Sequence, residues 1–600
     1  MAAIIIRTGF DYLYCRHFIF SAFFPRLPSE NGGVYDRTTE KLKWNRYNRT
    51  ARPTFVRISY SMDTSRNTPD DFFSPTRETL RLWKTTLARE WVMADSTGME
   101  LTGNDALIRL LILRRLLRRS ILDDRDVRVG LLLPPSCPAI LANAALTMDG
   151  RVAVNLNYTV NSEIMNGCIR KAGIRHLITS RKVMERFDFH PECDVVYMED
   201  FVGLIGWRDK LICAFEAKFL SLKTLERMLG LDKIGPDDTM TILFTSGSTG
   251  VPKGVMLSHA NIGGNIESCR KFFHLSSDDC MVGVLPIFHS MGFMATVWAC
   301  LSLGMRVFYH YTPLEHRVVA KLCRKYRPTI LLGAPSFLRL YTKTFAPDDL
   351  ESVNLVMSGA ERCPTALMDE YERRFGIRPV QGYGITETSP VIAASISENR
   401  RQTESDPHPN DEALGYPLPG VSVKIIDLNT GAECPTGKSG LIYVSGVSVM
   451  KGYYNEPEKT AEVIRDGWYN TGDIGYLDES GALYMAGRLS RFAKICGEMV
   501  PHEGIEEALN KLLGNAPSEA PKLCVTSVPD ARKGEKIVVL YTELSMEPEK
   551  IVEALYAQKF PALWIPTKDA FFPIPEIPVL GTGKLDLYAL RQAALNSVES

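Results

Sequence analysis

From Trp83 onward, short apolar runs alternate with amphipathic stretches. Residues 105–120 carry leucines at helical spacing among Arg109, Arg114, Arg115, Arg118 and Arg119, and read as a helix. Residues 127–133 (VRVGLLL) read as a strand stopped by Pro134 and Pro135, 138–148 as a helix and 152–154 as a strand. Such alternation predicts a parallel sheet with helices on its faces. The uncharged run 292–305 is shorter than the ~20 residues a bilayer requires, so it reads as a buried core helix. The arginines of the first helix spread around it, which favours a solvated exterior over an anionic membrane face.

Residues 399–412 (NRRQTESDPHPNDE) are polar and Pro-containing and read as a surface loop. Beyond them come β segments at 421–427, 440–445 and 482–486, punctuated by Gly and Pro. Past Gly487 and Arg488 the pattern becomes a small α/β unit, with a helix at 503–513 and strands at 522–528 and 536–542. The expected organisation is an extension over 1–75, a large domain over 76–489 and a small one over 490–600. The extension has no sustained period and holds 11 Lys/Arg against 7 Asp/Glu. Its plain reading is a poorly ordered segment; the sharper one is an arm that binds a membrane or partner.

Composition narrows the function. The 600 residues carry 70 Lys+Arg and 70 Asp+Glu, with none of the basic excess that holds nucleic acid. The 13 cysteines include no CxxC pair, which leaves out zinc ribbons and redox pairs. The N-terminal apolar stretch is broken by Arg7, Asp11, Arg16 and His17 and lacks a small-residue cleavage site. A cytoplasmic protein without a transmembrane span is expected, with peripheral contact at the inner membrane as the variant placement.

The strongest chemical signal is residues 241–254, TILFTSGSTGVPKG. An apolar strand enters a loop of hydroxyls and glycines (Thr245, Ser246, Gly247, Ser248, Thr249, Gly250) that ends at Lys253. Glycines admit backbone N–H groups to a phosphate, hydroxyls add donors and lysine adds charge. It is not a Walker A loop, because Gly254 follows the lysine where Ser or Thr is needed.

This loop resembles that of the acyl-adenylate-forming superfamily, and further segments match in order: PIFHSMG at 286–292, SGAE at 358–361, QGYGITE at 381–387, YNTGD at 469–473, Gly487-Arg488 and GTGK at 581–584. The resemblance implies an α/β fold: a large N-terminal domain of αβαβα-layered sheets plus a β subdomain, then a small mobile α+β domain. It implies ATP and Mg²⁺, with Thr245 and Glu387 on the metal and the 246–250 loop and Lys253 on phosphates. Gly359, Ala360, Glu361, Gly382, Tyr383, Gly384, Thr386 and His289 would surround the nucleotide, Tyr383 stacking on adenine. Asp473 would accept the ribose hydroxyls, Arg488 would donate to the ribose, and Lys584 would bridge carboxylate and α-phosphate. After a rotation at Arg488-Leu489-Ser490-Arg491, where Ser490 is atypical, Gly497 would line a tunnel for a phosphopantetheine arm.

Within the superfamily the chain most resembles long-chain acyl-acyl-carrier-protein synthetases, including the synthetase half of 2-acylglycerophosphoethanolamine acyltransferase proteins. The matching stretches are 155–159, 491–499 and 577–586. The implied substrates are a fatty acid, ATP, and acyl carrier protein or CoA. His289 stands where amino-acid-activating members place an Asp, which argues against an amine-bearing acid. Phe288, Met291, Phe293, Met294, Trp298, Leu331, Leu332 and Phe337 are candidates for an acyl tunnel, core packing claiming at least half. An aryl- or short-acyl-CoA ligase and a non-catalytic nucleotide binder are the alternatives. The sequence His274 to Asp279 matches the HxxxxD acid/base motif of glycerolipid acyltransferases, but sits where a polar turn is expected.

Overall fold

The computed structural model describes residues 72–187, 189–245, 252–404, 406–495, 498–515, 521–530, 532–558, 560–579 and 585–599. Phe73–Ser600 forms one compact unit. The helix expected at 105–120 runs Gly103–Ser120, because Thr102 caps it: the Thr102 hydroxyl accepts from the Asp105 amide, and Asp105 returns the bond.

Two large sheets carry the fold. The seven-stranded sheet is ordered Gly452–Tyr453, Lys253–Ser258, Thr239–Thr245, Val152–Asn155, Arg128–Leu132, His176–Thr179, Asp194–Tyr197. Its last five strands are parallel. A nine-stranded sheet, centred on Ile330–Gly333 and Cys280–Gly283, is parallel inside and antiparallel at both edges. Helices Gly103–Ser120, Cys137–Thr147 and His259–Phe273 share one buried core with apolar residues of both sheets, so a helical layer lies between them. Separate cores on the outer faces take helices His316–Tyr326 and Ser162–Ala172, respectively, completing the αβαβα layering.

A third, antiparallel sheet pairs Val421–Ile426, Gly440–Gly446 and Trp468–Leu477, with Leu483–Arg488 on the last of these. The fourth sheet, built on Phe492–Ile495, Leu523–Asp530 and Gly534–Tyr541, has its own two cores and helices His502–Leu513, Pro548–Ala557 and Leu587–Glu599. Arg491 is buried there, donating to the Val525 carbonyl at 2.9 Å and paired with Glu506.

Three expectations change. The apolar run 292–305 is a core helix, but a π-helix over Gly292–Ala299 before an α-helical end at Cys300–Leu303. Gly292 is required at its start, since a Cβ there would lie 2.1 Å from the Pro286 carbonyl oxygen. The segment 399–412 is anchored, because Arg400 is buried and pairs with buried Asp279 at 2.5 Å. The arginines of Gly103–Ser120 are not simply solvated: Arg114 and Arg118 pair with Asp149, Arg115 and Arg119 with Asp209. Among the described residues no helix is long and apolar enough to cross a membrane.

Candidate active site

The loop expected to hold phosphates follows one strand of an antiparallel pair and precedes the other. Strands Thr239–Thr245 and Lys253–Ser258 pair antiparallel, with Thr245 opposite Lys253 at the mouth. Ser246, Gly247, Ser248, Thr249 and Gly250 lie outside the described residues. The edge strand Gly452–Tyr453 pairs with the same hairpin and sets the Tyr453 ring 4.9 Å from the Lys253 ammonium. The Tyr453 hydroxyl donates to Glu387 Oε1 at 2.9 Å, and the Met450 amide donates to the Glu387 carbonyl at 2.8 Å. Lys253, Tyr453 and Glu387 thus meet across the two large sheets, with Thr245 paired to Lys253 across the hairpin. Burial pushes the Glu387 carboxyl up from its ordinary range, opposed by the Tyr453 bond and by the charges of Lys253 and Arg488. Tyr453 was not foreseen, and no local pattern announces it: its tie is a strand pairing with Val255, far away in sequence.

The second cluster surrounds Asp473. Residues Tyr469 to Asp473 form an irregular stretch of strand Trp468–Leu477, where its pairing with Gly440–Gly446 shifts register, stabilised by its own side chains: Asn470 Oδ1 accepts from the Gly472 amide at 3.0 Å, and Thr471 Oγ1 from the Asp473 amide at 3.0 Å. Gly472 occupies φ +72°, the left-handed region that favours glycine. Asp473 and Arg488 are direct cross-strand partners, with Arg488 Nε 3.2 Å from Asp473 Oδ1. The other oxygen accepts from the Tyr383 hydroxyl at 2.6 Å. Burial and the Asp473 charge push the Tyr383 phenol well up, so it stays a donor. The Tyr383 ring belongs to a buried cluster with Ile392 and Ile442.

Strand Leu355–Ser358 delivers Gly359, Ala360 and Glu361 from its carboxyl end, and Val380–Gly384 delivers Gly382, Tyr383 and Gly384 beside it. Ala360 sits at φ 72°, a strained conformation for a residue with a Cβ. Gly384 admits no side chain, since a Cβ would lie 2.2 Å from the Pro390 oxygen. Thr386 Oγ1 is 3.4 Å from Ser290 Oγ. The His289 ring lies 4.5 Å from that of Phe288, which meets Tyr158 edge-on at 4.8 Å. Thr245, Ser358 and Gly384 all close the carboxyl ends of strands, where open α/β sheets form their ligand crevice.

Gly497 and Lys584 lie outside the described residues. Their flanks are defined: Ile495 pairs with Glu498, and Val579 bridges Leu585. The tunnel candidates are largely core. Phe293 and Trp298 are fully buried with ring centroids 6.4 Å apart, and Leu331 and Leu332 belong to different cores. The HxxxxD match is no acid/base pair, because His274 bonds Asp406 at 3.0 Å while Asp279 is held by Arg400.

The donors present fit a triphosphate and its cation. A carboxylate and a hydroxyl (Glu387, Thr245) are hard oxygen ligands of the kind Mg²⁺ takes beside substrate phosphates, Lys253 adds positive charge, and Asp473 offers buried acceptor oxygens.

The sequence pattern of the AMP-binding enzyme family matches residues 85–454. The long-chain-fatty-acid–CoA ligase of Bacillus subtilis is 28% identical over 520 residues, covering 81% of this chain and 89% of that protein. The 4-coumarate–CoA ligase 2 of Nicotiana tabacum is 32% identical over 312 residues, 50% of this chain and 56% of the relative. In fold, the o-succinylbenzoate CoA synthetase of Bacillus subtilis, solved with its acyl-adenylate, superimposes with a TM-score of 0.69 at 21% identity, over 86% of this chain and 97% of that one. The chain belongs to the AMP-binding enzyme family and is an AMP-forming acid–thiol ligase.

Proposed function

We propose that the protein activates a long-chain fatty acid with ATP and Mg²⁺, then passes the acyl group to the phosphopantetheine thiol of acyl carrier protein or CoA. A carboxylate oxygen attacks the α-phosphorus and pyrophosphate leaves; the thiol sulfur then attacks the acyl carbon and AMP leaves. Thr245 and Glu387 hold the metal, and residues 246–250 with Lys253 neutralise the phosphates. Gly359 to Glu361, Gly382 to Gly384, Thr386 and His289 surround the base and α-phosphate, and Tyr383 flanks adenine while its hydroxyl fixes Asp473. Asp473 and Arg488 take the ribose. Lys584 serves adenylation and Gly497 the thiol tunnel, from a domain over 490–600 that turns near Ser490 against the domain over 76–489. The protein works in the cytoplasm, in peripheral contact with a membrane.

One observation carries the reading: the Lys253–Tyr453–Glu387 contact, which joins the phosphate hairpin to the carboxylate of the ITE segment. The long-chain preference rests on the fatty-acid ligase that spans most of the chain. An arylate is the second reading, favoured by the 4-coumarate ligase likeness and by the burial of Phe293 and Trp298 in the core. ATP–pyrophosphate exchange over a panel of fatty and aromatic acids, followed by transfer to CoA and holo-carrier protein, tests it. Rates that climb by roughly fourfold per added methylene until the pocket fills support a fatty acid. A peak on one ring-sized acid supports the arylate, and strict CoA dependence excludes the carrier protein.

A further inference from the structure

Helix Trp207–Phe219 is built with its polarity reversed. Its buried residues are Asp209, Cys213 and Ala217, an acid and two small side chains spaced four apart. Its large apolar residues point outward: Trp207 is 67% exposed, Leu211 61%, Phe215 57% and Phe219 64%. They also recur every four residues and so form one stripe along the helix. A surface helix of a soluble protein normally turns such a stripe inward. Leu204 and Ile212 extend the patch, whereas other exposed large apolar side chains are scattered.

Charges of both signs flank the stripe, and the cations are the ones set against its rings. Arg208, Lys210 and Lys218 lie on the helix and Lys223 follows it; the acids are Asp209 and Glu216 on the helix and Glu199 and Asp200 before it. Asp209 is already met by Arg115 at 3.1 Å and Arg119 at 3.0 Å. Arg208 and Lys218 lie over the rings of Trp207 and Phe219 at 5.4 Å each, so cations rim the apolar stripe. Exposed Trp and Phe flanked by Lys and Arg match the interface of an anionic bilayer, aromatic side chains at the acyl boundary and cations among the headgroups. Thirteen residues, ~20 Å of helix, suit lying in the plane of the membrane, not crossing it.

We propose that helix Trp207–Phe219 is the surface by which this enzyme docks on an anionic lipid bilayer; this deepens the peripheral contact proposed above and rests on it. The docked helix would hold the ligase where a sparingly soluble acid partitions.

The test is sedimentation of the full chain with vesicles of phosphatidylcholine alone or mixed with phosphatidylglycerol, for the unmodified protein and for the combined Trp207→Ser, Phe215→Ser, Phe219→Ser variant. The unmodified protein is expected on the anionic vesicles, with binding that falls as salt rises, and the variant at least ~10-fold weaker. Pyrophosphate exchange on a water-soluble acid should be unchanged by the variant, showing that it remains folded. If the unmodified protein ignores both vesicles, the peripheral contact and this inference fall together. If the variant binds as well as the unmodified protein, the contact stands and the helix is the wrong surface, which points to residues 1–75. If instead the unmodified protein is a dimer that the variant dissociates, without vesicle binding, the stripe is an interface between copies and the inference is overturned.

Discussion

Asp279 and Glu387 are both acids set near cations in the interior, yet their surroundings differ in kind. Asp279 is saturated: Arg400 donates to both its oxygens at 2.5 and 3.1 Å, the Thr329 hydroxyl donates at 2.7 Å and the Ser276 amide at 3.0 Å. Glu387 accepts from two neutral donors, its own backbone amide and the Tyr453 hydroxyl, while Lys253 and Arg488 act on it only through their charge, and burial lifts its proton affinity. A saturated carboxylate holds structure together. One held by neutral donors, with cations near it but not bonded to it, fits the metal-ligand role proposed above.

The largest effect expected from this contrast is on stability. Arg400→Ala strands a buried charge and should cost about 3–5 kcal/mol, read by denaturant unfolding, while exchange per folded molecule stays unchanged. A loss of activity without a loss of stability would give Asp279 a catalytic part and dissolve the comparison. Lys584→Ala comes next. It should lower adenylation by ~10²–10³ while transfer from preformed acyl-AMP remains near normal, if the lysine has its proposed role on charge that develops at the α-phosphate. Equal losses in both half-reactions would remove that role.

Tyr453→Phe deletes the side-chain hydrogen bond to the Glu387 carboxylate and leaves the ring beside Lys253. The carboxyl should then be still harder to ionise, so the acid limb of the exchange-rate profile moves to higher pH, with a loss of about 1 kcal/mol in transition-state stabilisation. An unmoved limb would detach Tyr453 from Glu387. The smallest effect concerns the metal-free protein. Because the folded Glu387 binds its proton more tightly than the unfolded chain does, stability falls as pH rises from the ordinary carboxylate range through the raised value. Glu387→Gln should flatten that slope in unfolding measurements without Mg²⁺, and an unchanged slope would assign it to other groups.

What the sequence disclosed is what local chemistry determines. The alternation of apolar runs is a neighbour-to-neighbour property, and the layered fold followed it. The YNTGD segment is recognised by its resemblance alone, although its bulge is local: Asn470, Thr471 and Gly472 build it among themselves. Long-range pairings were not readable. Arg400 reads as a loop residue because Asp279 lies 121 positions earlier, and nothing near Tyr453 points to its partner Glu387, 66 residues away. The reversed polarity of Trp207–Phe219 is invisible in composition, since only the fold decides which face turns inward.

Glu387 is proposed to serve the metal and Asp473 the nucleoside. Mg²⁺ titration of pyrophosphate exchange, run beside AMP binding on Glu387→Gln and Asp473→Asn, tests it directly. Glu387→Gln should raise the Mg²⁺ requirement at least roughly tenfold, worth about 1.4 kcal/mol, and leave AMP affinity nearly intact. Asp473→Asn should do the reverse. Should AMP affinity collapse in Glu387→Gln while its Mg²⁺ requirement stays put, the division of labour between the two carboxylates would be contradicted.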